Sequence, residues 1–121
     1  MKQRIRVVGI IQRGADVLIM KKSQGRVDGV PMWELPTGKI RFGEQPEEAM
    51  DRTLEEYLGI EVTAQTKLHD VVTFMAPQGS SQLSNLYIVF SVRLDESTKM
   101  TAKDRYTAYK LTRGKLNQNI V

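Results

Sequence analysis

The chain has 121 residues, 40% of them hydrophobic, 18 basic against 14 acidic side chains for a formal charge of +4, and no cysteine. That length supports one compact core and not two, so a single domain over residues 1–121 is expected. The missing cysteines exclude disulfides, thiolate nucleophiles and Cys-ligated zinc, leaving any metal to oxygen donors or the single His69. No apolar run approaches bilayer length, and the start "MKQRIRVVGIIQRGADV" places charges where a signal peptide needs a greasy centre. A cytoplasmic protein without membrane contact is therefore expected. The isoelectric point near 9.5 favours an anionic partner. The basic residues are spread along the chain rather than gathered in a stripe, so a phosphate-bearing small molecule accounts for them as well as nucleic acid does.

"RIRVVGIIQ" (residues 4–12) and "DVLIMKK" (16–22) read as paired strands, with "RGAD" supplying the turn. "SQGRVDG" reads as a loop, because Ser, Gly and Asp cluster there without apolar periodicity. "MWELP" is a short strand stopped by Pro36, and Gly38 and Gly43 bracket a turning segment beyond it. A helix is predicted from Pro46 to Leu58. Proline suits the first helical position, Glu47 and Glu48 favour the positive end of the dipole, and Gly59 is a left-handed stop. "IEVTAQTKLHDVVTFM" and "NLYIVFSVRL" follow as strands around the loop "APQGSSQ", and "DRYTAYKL" is one more candidate strand. The expected class is α+β, a mixed sheet with one helix on a face; little chain remains beyond Thr112 for a second helix.

At 100° per residue the predicted helix presents three faces. Met50, Leu54 and Leu58 form a buried stripe with Tyr57 at its margin. Glu47, Glu48, Asp51 and Glu55 point largely to solvent. Arg52 and Glu56 share the third face with Ala49 and, near its boundary, Thr53. Arg52 and Glu56 stand at the spacing of an ordinary i,i+4 ion pair. The loop in front adds a second reading. Gly38 allows close backbone approach and Glu44 precedes the helix, so a carbonyl and two carboxylates can converge on a hard cation such as Mg²⁺.

"GKIRFGEQPEEAMDRTLEEYLGI" resembles the signature of the Nudix hydrolases. Gly38, Glu44, Arg52, Leu54, Glu56, Gly59 and Ile60 fall in register with it, and "WELPTG" resembles the family's approach to that motif. The resemblance implies an α/β/α sandwich and divalent-metal-assisted hydrolysis of a nucleotide or nucleoside-diphosphate derivative. It assigns Glu56 as the surviving helix ligand, Gly38 as a carbonyl donor, and Arg52 and Glu44 as supports of the carboxylates. Two positions depart from it: Thr53 and Tyr57 stand where glutamates are usual. A hydroxyl beside a doubly charged ion is a poor substitute for a carboxylate, so at most one weakly held Mg²⁺ or Mn²⁺ is expected. Arg41 also replaces a residue that is often acidic. Asp104, or as second choice Glu96, is the candidate for an acid brought in from a distant loop.

Lys39 and Arg41 are the candidate phosphate contacts and Trp33 a candidate pocket wall or stacking residue. His69 sits in a strand-like context that favours a structural role. The competing reading is a catalytically silent Nudix domain that binds a nucleotide or a protein partner. An RNA-binding module has only the basic isoelectric point behind it. A short chain end would leave a sheet face to be covered by self-association, which makes a homodimer a further expectation.

Overall fold

The computed structural model describes residues 2–27, 30–60, 65–79, 81–102 and 106–113. Its elements are β1 (Lys2–Arg13), β2 (Asp16–Val27), β3 (Val30–Glu34), β4 (Thr37–Lys39), α1 (Pro46–Leu58), β5 (Gln65–Gln78), β6 (Ser81–Arg93) and β7 (Tyr106–Arg113). The strands form one sheet of order β3-β2-β1-β6-β5, with β4 pairing β1 and β7 pairing β2. β1 and β6 run parallel from Lys2↔Leu83 to Gln12↔Arg93, whereas every other pair is antiparallel. The sheet is thus mixed and carries one helix among the described residues, as expected. The expectation of a short or missing closing helix falls on residues 114–121, outside the described residues, as does the candidate acid Asp104.

Helix α1 occupies the predicted span. Gln45 precedes Pro46 without a side-chain cap, and Gly59 adopts φ 66°, its N–H donating to the Glu55 carbonyl at 2.9 Å while Ile60 N–H reaches Leu54 O. A left-handed stop of this kind strains any residue with a Cβ. Met50, Leu54 and Leu58 are buried against Val7 and Ile11 of β1, Leu18 and Met20 of β2, and Phe90 and Val92 of β6, with Tyr57 packed at the margin of that core. Each such aliphatic side chain contributes about 1.5–3 kcal/mol relative to exposure, so this stripe fixes the helix on the sheet.

Two loop expectations are corrected. Residues 23–27 of "SQGRVDG" belong to β2, paired with β3 through Arg26↔Pro31 and Val27↔Val30 after a register shift beyond Lys21. A two-stranded ribbon holds itself by backbone bonds, and polar residues are compatible with it. The segment "APQGSSQ" is mostly strand as well: Gln78 pairs with Ser81, and Gly79 at φ 60° takes the tight turn.

β1 changes neighbours along its length. Near the first turn it pairs β2 at Gln12↔Val17; further back it pairs β4 at Arg6↔Lys39, Val7↔Gly38 and Val8↔Thr37. That switch delivers the chain after Lys39 to the side of α1 and so positions the loop of residues 40–45.

Candidate functional site

The loop between β4 and α1 is closed by Glu44. Its backbone N–H donates to the Arg41 carbonyl at 3.0 Å, and its Oε1 accepts the Arg41 backbone N–H at 3.0 Å. Gly43 takes φ 80°, in keeping with the turn. The backbone of Arg41 is therefore held at both its donor and its acceptor.

Arg52 ties this loop to the helix. Its Nε donates to Glu44 Oε2 at 2.8 Å and its Nη2 to Glu44 Oε1 at 3.0 Å, a two-pronged pair, while Nη2 also reaches the Lys39 carbonyl and Nη1 reaches Glu56 Oε2 at 3.3 Å. The Arg52 guanidinium holds the Glu44 carboxyl well below its ordinary value, at about 2, assisted by the Arg41 backbone N–H. The reciprocal effect raises Arg52. The i,i+4 pairing with Glu56 expected from spacing is present but is the longer contact; Glu44 is the principal partner.

Glu56 has a second cation. Arg41 Nη2 donates to Glu56 Oε1 at 2.9 Å, with 64% of the Arg41 side chain and 34% of the Glu56 side chain exposed. Residues 41 and 56 are fifteen apart, and no periodicity in the sequence announces the pair. Phe42, at the tip of the same loop and fully exposed, also escaped the sequence reading. The only signal for it was an aromatic side chain inside a charged, glycine-containing turn.

Thr53 does not face this cluster. It is 1% exposed, its Oγ1 donates to the Ala49 carbonyl at 2.7 Å, and it lies against Gly38 so closely that a Cβ there would stand 1.9 Å from Oγ1. Gly38 is buried in β4 opposite Val7, so its backbone lies within the sheet ladder and its missing side chain makes room for the helix. Tyr57 packs at the core margin.

The remaining candidates lie apart. Trp33 is half-buried in β3, across from Lys21 of β2 and four residues before Thr37, the first residue of β4. His69 is exposed on β5. Glu96 has its Oε1 beside Gly14 at the β1–β2 turn, eight residues along the chain from Arg6, the partner of Lys39. That is on the order of 25 Å in an extended strand.

The resemblance implies a divalent ion, and the donor set as arranged does not fit one. Both oxygens of Glu56 meet guanidinium nitrogens, and both oxygens of Glu44 are engaged by Arg52, one also by the loop backbone. Among the described residues no three acidic or histidine side chains gather as a ligand set. A dication at Glu56 Oε1 would have to share that oxygen with the Arg41 guanidinium, which donates to it at 2.9 Å, and two positive charges at one oxygen repel each other.

Comparison with known proteins places the fold and the family. Over 62 residues the chain is 40% identical to a Mycobacterium tuberculosis (strain H37Rv) protein named "Putative 8-oxo-dGTP diphosphatase 2"; the match takes in 51% of this chain and 43% of that protein, less than half its length. The MutT NUDIX hydrolase from Burkholderia pseudomallei superposes with a TM-score of 0.76 at 24% identity, covering 100% of this chain and 92% of the other. The NUDIX domain of Shewanella oneidensis NrtR, complexed with ADP ribose, gives 0.74 at 14% identity, covering 93% and 74%. The E. coli dihydroneopterin triphosphate pyrophosphohydrolase gives 0.71 at 18%, covering 91% and 82%. At these identities the superpositions speak for the fold alone. The NUDIX domain family model matches residues 2–113, nearly the whole chain, over the same loop and helix whose geometry is described above, and the chain belongs to the Nudix family.

Proposed function

We propose that this chain binds the diphosphate of a nucleotide or nucleoside-diphosphate derivative at the face formed by the 39–44 loop with Arg52 and Glu56. The observation that carries this reading is the Arg41–Glu56 pair: an exposed guanidinium held beside the helix by a fixed loop backbone, with one side-chain donor on Glu56 and 64% of the side chain exposed among the described residues. Guanidinium groups match phosphate oxygens in pairs, and Lys39, exposed on β4, adds a point charge alongside. Arg52 acts as the tie that holds loop and helix together. Support also comes from relatives, whose names refer to phosphoanhydride compounds: the ADP ribose on the NrtR domain and the triphosphate of the E. coli enzyme.

A second reading is hydrolysis of the pyrophosphate linkage, with Glu56, Glu44 and the Gly38 carbonyl sharing one weakly held Mg²⁺ or Mn²⁺. It rests on the third of the Glu56 side chain that remains open, and it requires Arg41 to leave Oε1. One experiment separates the two. Purified protein is incubated with nucleoside triphosphates and diphosphate conjugates, with Mg²⁺ or Mn²⁺ and with chelator, while phosphate release and calorimetric binding are both followed. Binding without turnover supports the first reading. Metal-dependent turnover that disappears in Glu56→Gln supports the second. Neither binding nor turnover would sink both.

A further inference from the structure

We infer that Arg41 stands in for the divalent ion: it bridges Glu56 and the bound diphosphate, so the site takes its ligand without metal. The inference rests on the diphosphate-binding reading above and adds how the anion is held.

An acid-rich site needs a dication before it can accept phosphate, because bare carboxylates repel the incoming oxygens. Here the two carboxylates, Glu44 and Glu56, already face two guanidiniums, Arg41 and Arg52, and the four side chains sum to zero charge. The repulsion that a metal would relieve is relieved within the chain. The two arginines divide the work. Arg52 spends its Nε, Nη1 and Nη2 on Glu44, Glu56 and the Lys39 carbonyl. Arg41 has one side-chain donor on Glu56 Oε1, and a guanidinium carries five. Glu56 thus orients Arg41 from one side while its other edge meets solvent. A metal would likewise touch a protein carboxylate with one part of its shell and a phosphate with another. Because the Arg41 backbone is fixed by Glu44, little of the loop must be ordered when an anion arrives.

The substitutions make sense together in this light. Thr53 is turned into the helix–sheet contact and Tyr57 into the core margin, so neither leaves an uncompensated charge behind. The basic residue at 41 balances the acid that remains at 56.

The test is calorimetric titration of the full chain with inorganic pyrophosphate and, separately, with ADP ribose, each in Mg²⁺ and in excess chelator. The dissociation constants should agree within about twofold between the two conditions, and Arg41→Gln should weaken binding about tenfold in both, the usual scale for losing a charged hydrogen bond. Glu56→Gln gives the sharpest contrast. The amide oxygen of glutamine still accepts from Arg41, so pyrophosphate binding should hold or tighten in Mg²⁺ and in chelator alike, whereas a metal-held ligand would be lost in Mg²⁺. Binding seen only with Mg²⁺, or weakened in either condition by Glu56→Gln, overturns the inference and leaves the diphosphate reading standing. No binding of either probe in either condition overturns both. Arg41 is an exposed partner in a surface pair worth about 0–1 kcal/mol, and a circular-dichroism melt of each variant confirms that it folds.

Discussion

The Thr53 hydroxyl fills the space that a side chain at Gly38 would need, so helix and strand meet there backbone to side chain. Any residue larger than glycine at 38 must push α1 off β4. Gly38→Ala is expected to lower stability by about 1–3 kcal/mol, the range for overpacking a core. Adding Thr53→Ala should recover part of that loss, which a thermal or denaturant double-mutant cycle measures. The same contact bears on restoring the glutamates of the family signature. A glutamate at 53 would begin in a fully buried position against the Gly38 backbone, so Thr53→Glu with Tyr57→Glu is expected to melt earlier rather than to gain tight Mg²⁺ binding.

Much of this was legible in the sequence, and the reason differs by feature. Helix α1 could be bounded to the residue because Pro46 and Gly59 act through their own backbone restrictions, independent of tertiary context. The alternating and β-branched runs announced the strands, whereas "SQGRVDG" and "APQGSSQ" did not, since ribbons held by backbone pairing leave little apolar signature. Glu44, Arg52 and Glu56 could be grouped by motif spacing. Their pairing could not: whether Glu56 meets Arg52 alone or Arg41 as well depends on how a six-residue loop folds back on the helix. Thr53 shows the limit of a helical wheel, which placed it near the polar face although an approaching strand buries it.

Arg52 binds the loop carboxylate through two nitrogens, the Lys39 carbonyl through one of them, and the helix carboxylate through a third. Removing it leaves Glu44 with only the Arg41 backbone N–H and the weaker pull of the Arg41 charge. Arg52→Ala should cost about 2–3 kcal/mol, on the scale of charged hydrogen bonds lost together. Arg52→Lys should recover only part, because an ammonium cannot reproduce the planar two-pronged contact. Urea unfolding of the three proteins checks both statements.

The depressed Glu44 carboxyl makes this tie sensitive to acid. Its value in the folded chain, about 2, lies below the ordinary 4.5, so the folded state favours the ionised form. The stabilisation is fully present above pH 4.5 and is lost as the pH falls from there through about 2. Melting temperature should therefore drop across that window in the native chain. Glu44→Gln should begin less stable at pH 7 and show a shallower slope below pH 4.5. A variant whose acid limb parallels that of the native chain would show that other carboxylates govern it.

Phe42 projects from the loop next to Arg41 with its ring fully open to solvent. An apolar ring in that position finds no partner within its own turn, and a nucleobase near a phosphate held by Arg41 would offer one by stacking. Phe42→Ala is expected to weaken binding of ADP ribose about tenfold, in line with about 1–3 kcal/mol per stacked base. It should leave inorganic pyrophosphate binding unchanged. Equal losses for both probes would place the effect on the loop and not on the base.

Strand β5 ends the sheet order and exposes Leu68, Val71, Val72, Phe74 and Met75 by between 38% and 61% each. Such an edge offers a row of backbone donors and acceptors flanked by apolar side chains, a template for another strand. Pairing of β5 with its counterpart in a second copy would satisfy both at once, since an antiparallel two-fold contact is self-complementary. We expect a homodimer at micromolar concentration by light scattering. A lysine at an exposed edge position opposes strand pairing, so Val71→Lys with Met75→Lys should return the monomer mass while leaving pyrophosphate binding at the Arg41 loop intact. A monomer in the unaltered protein would argue that this edge is covered in another way.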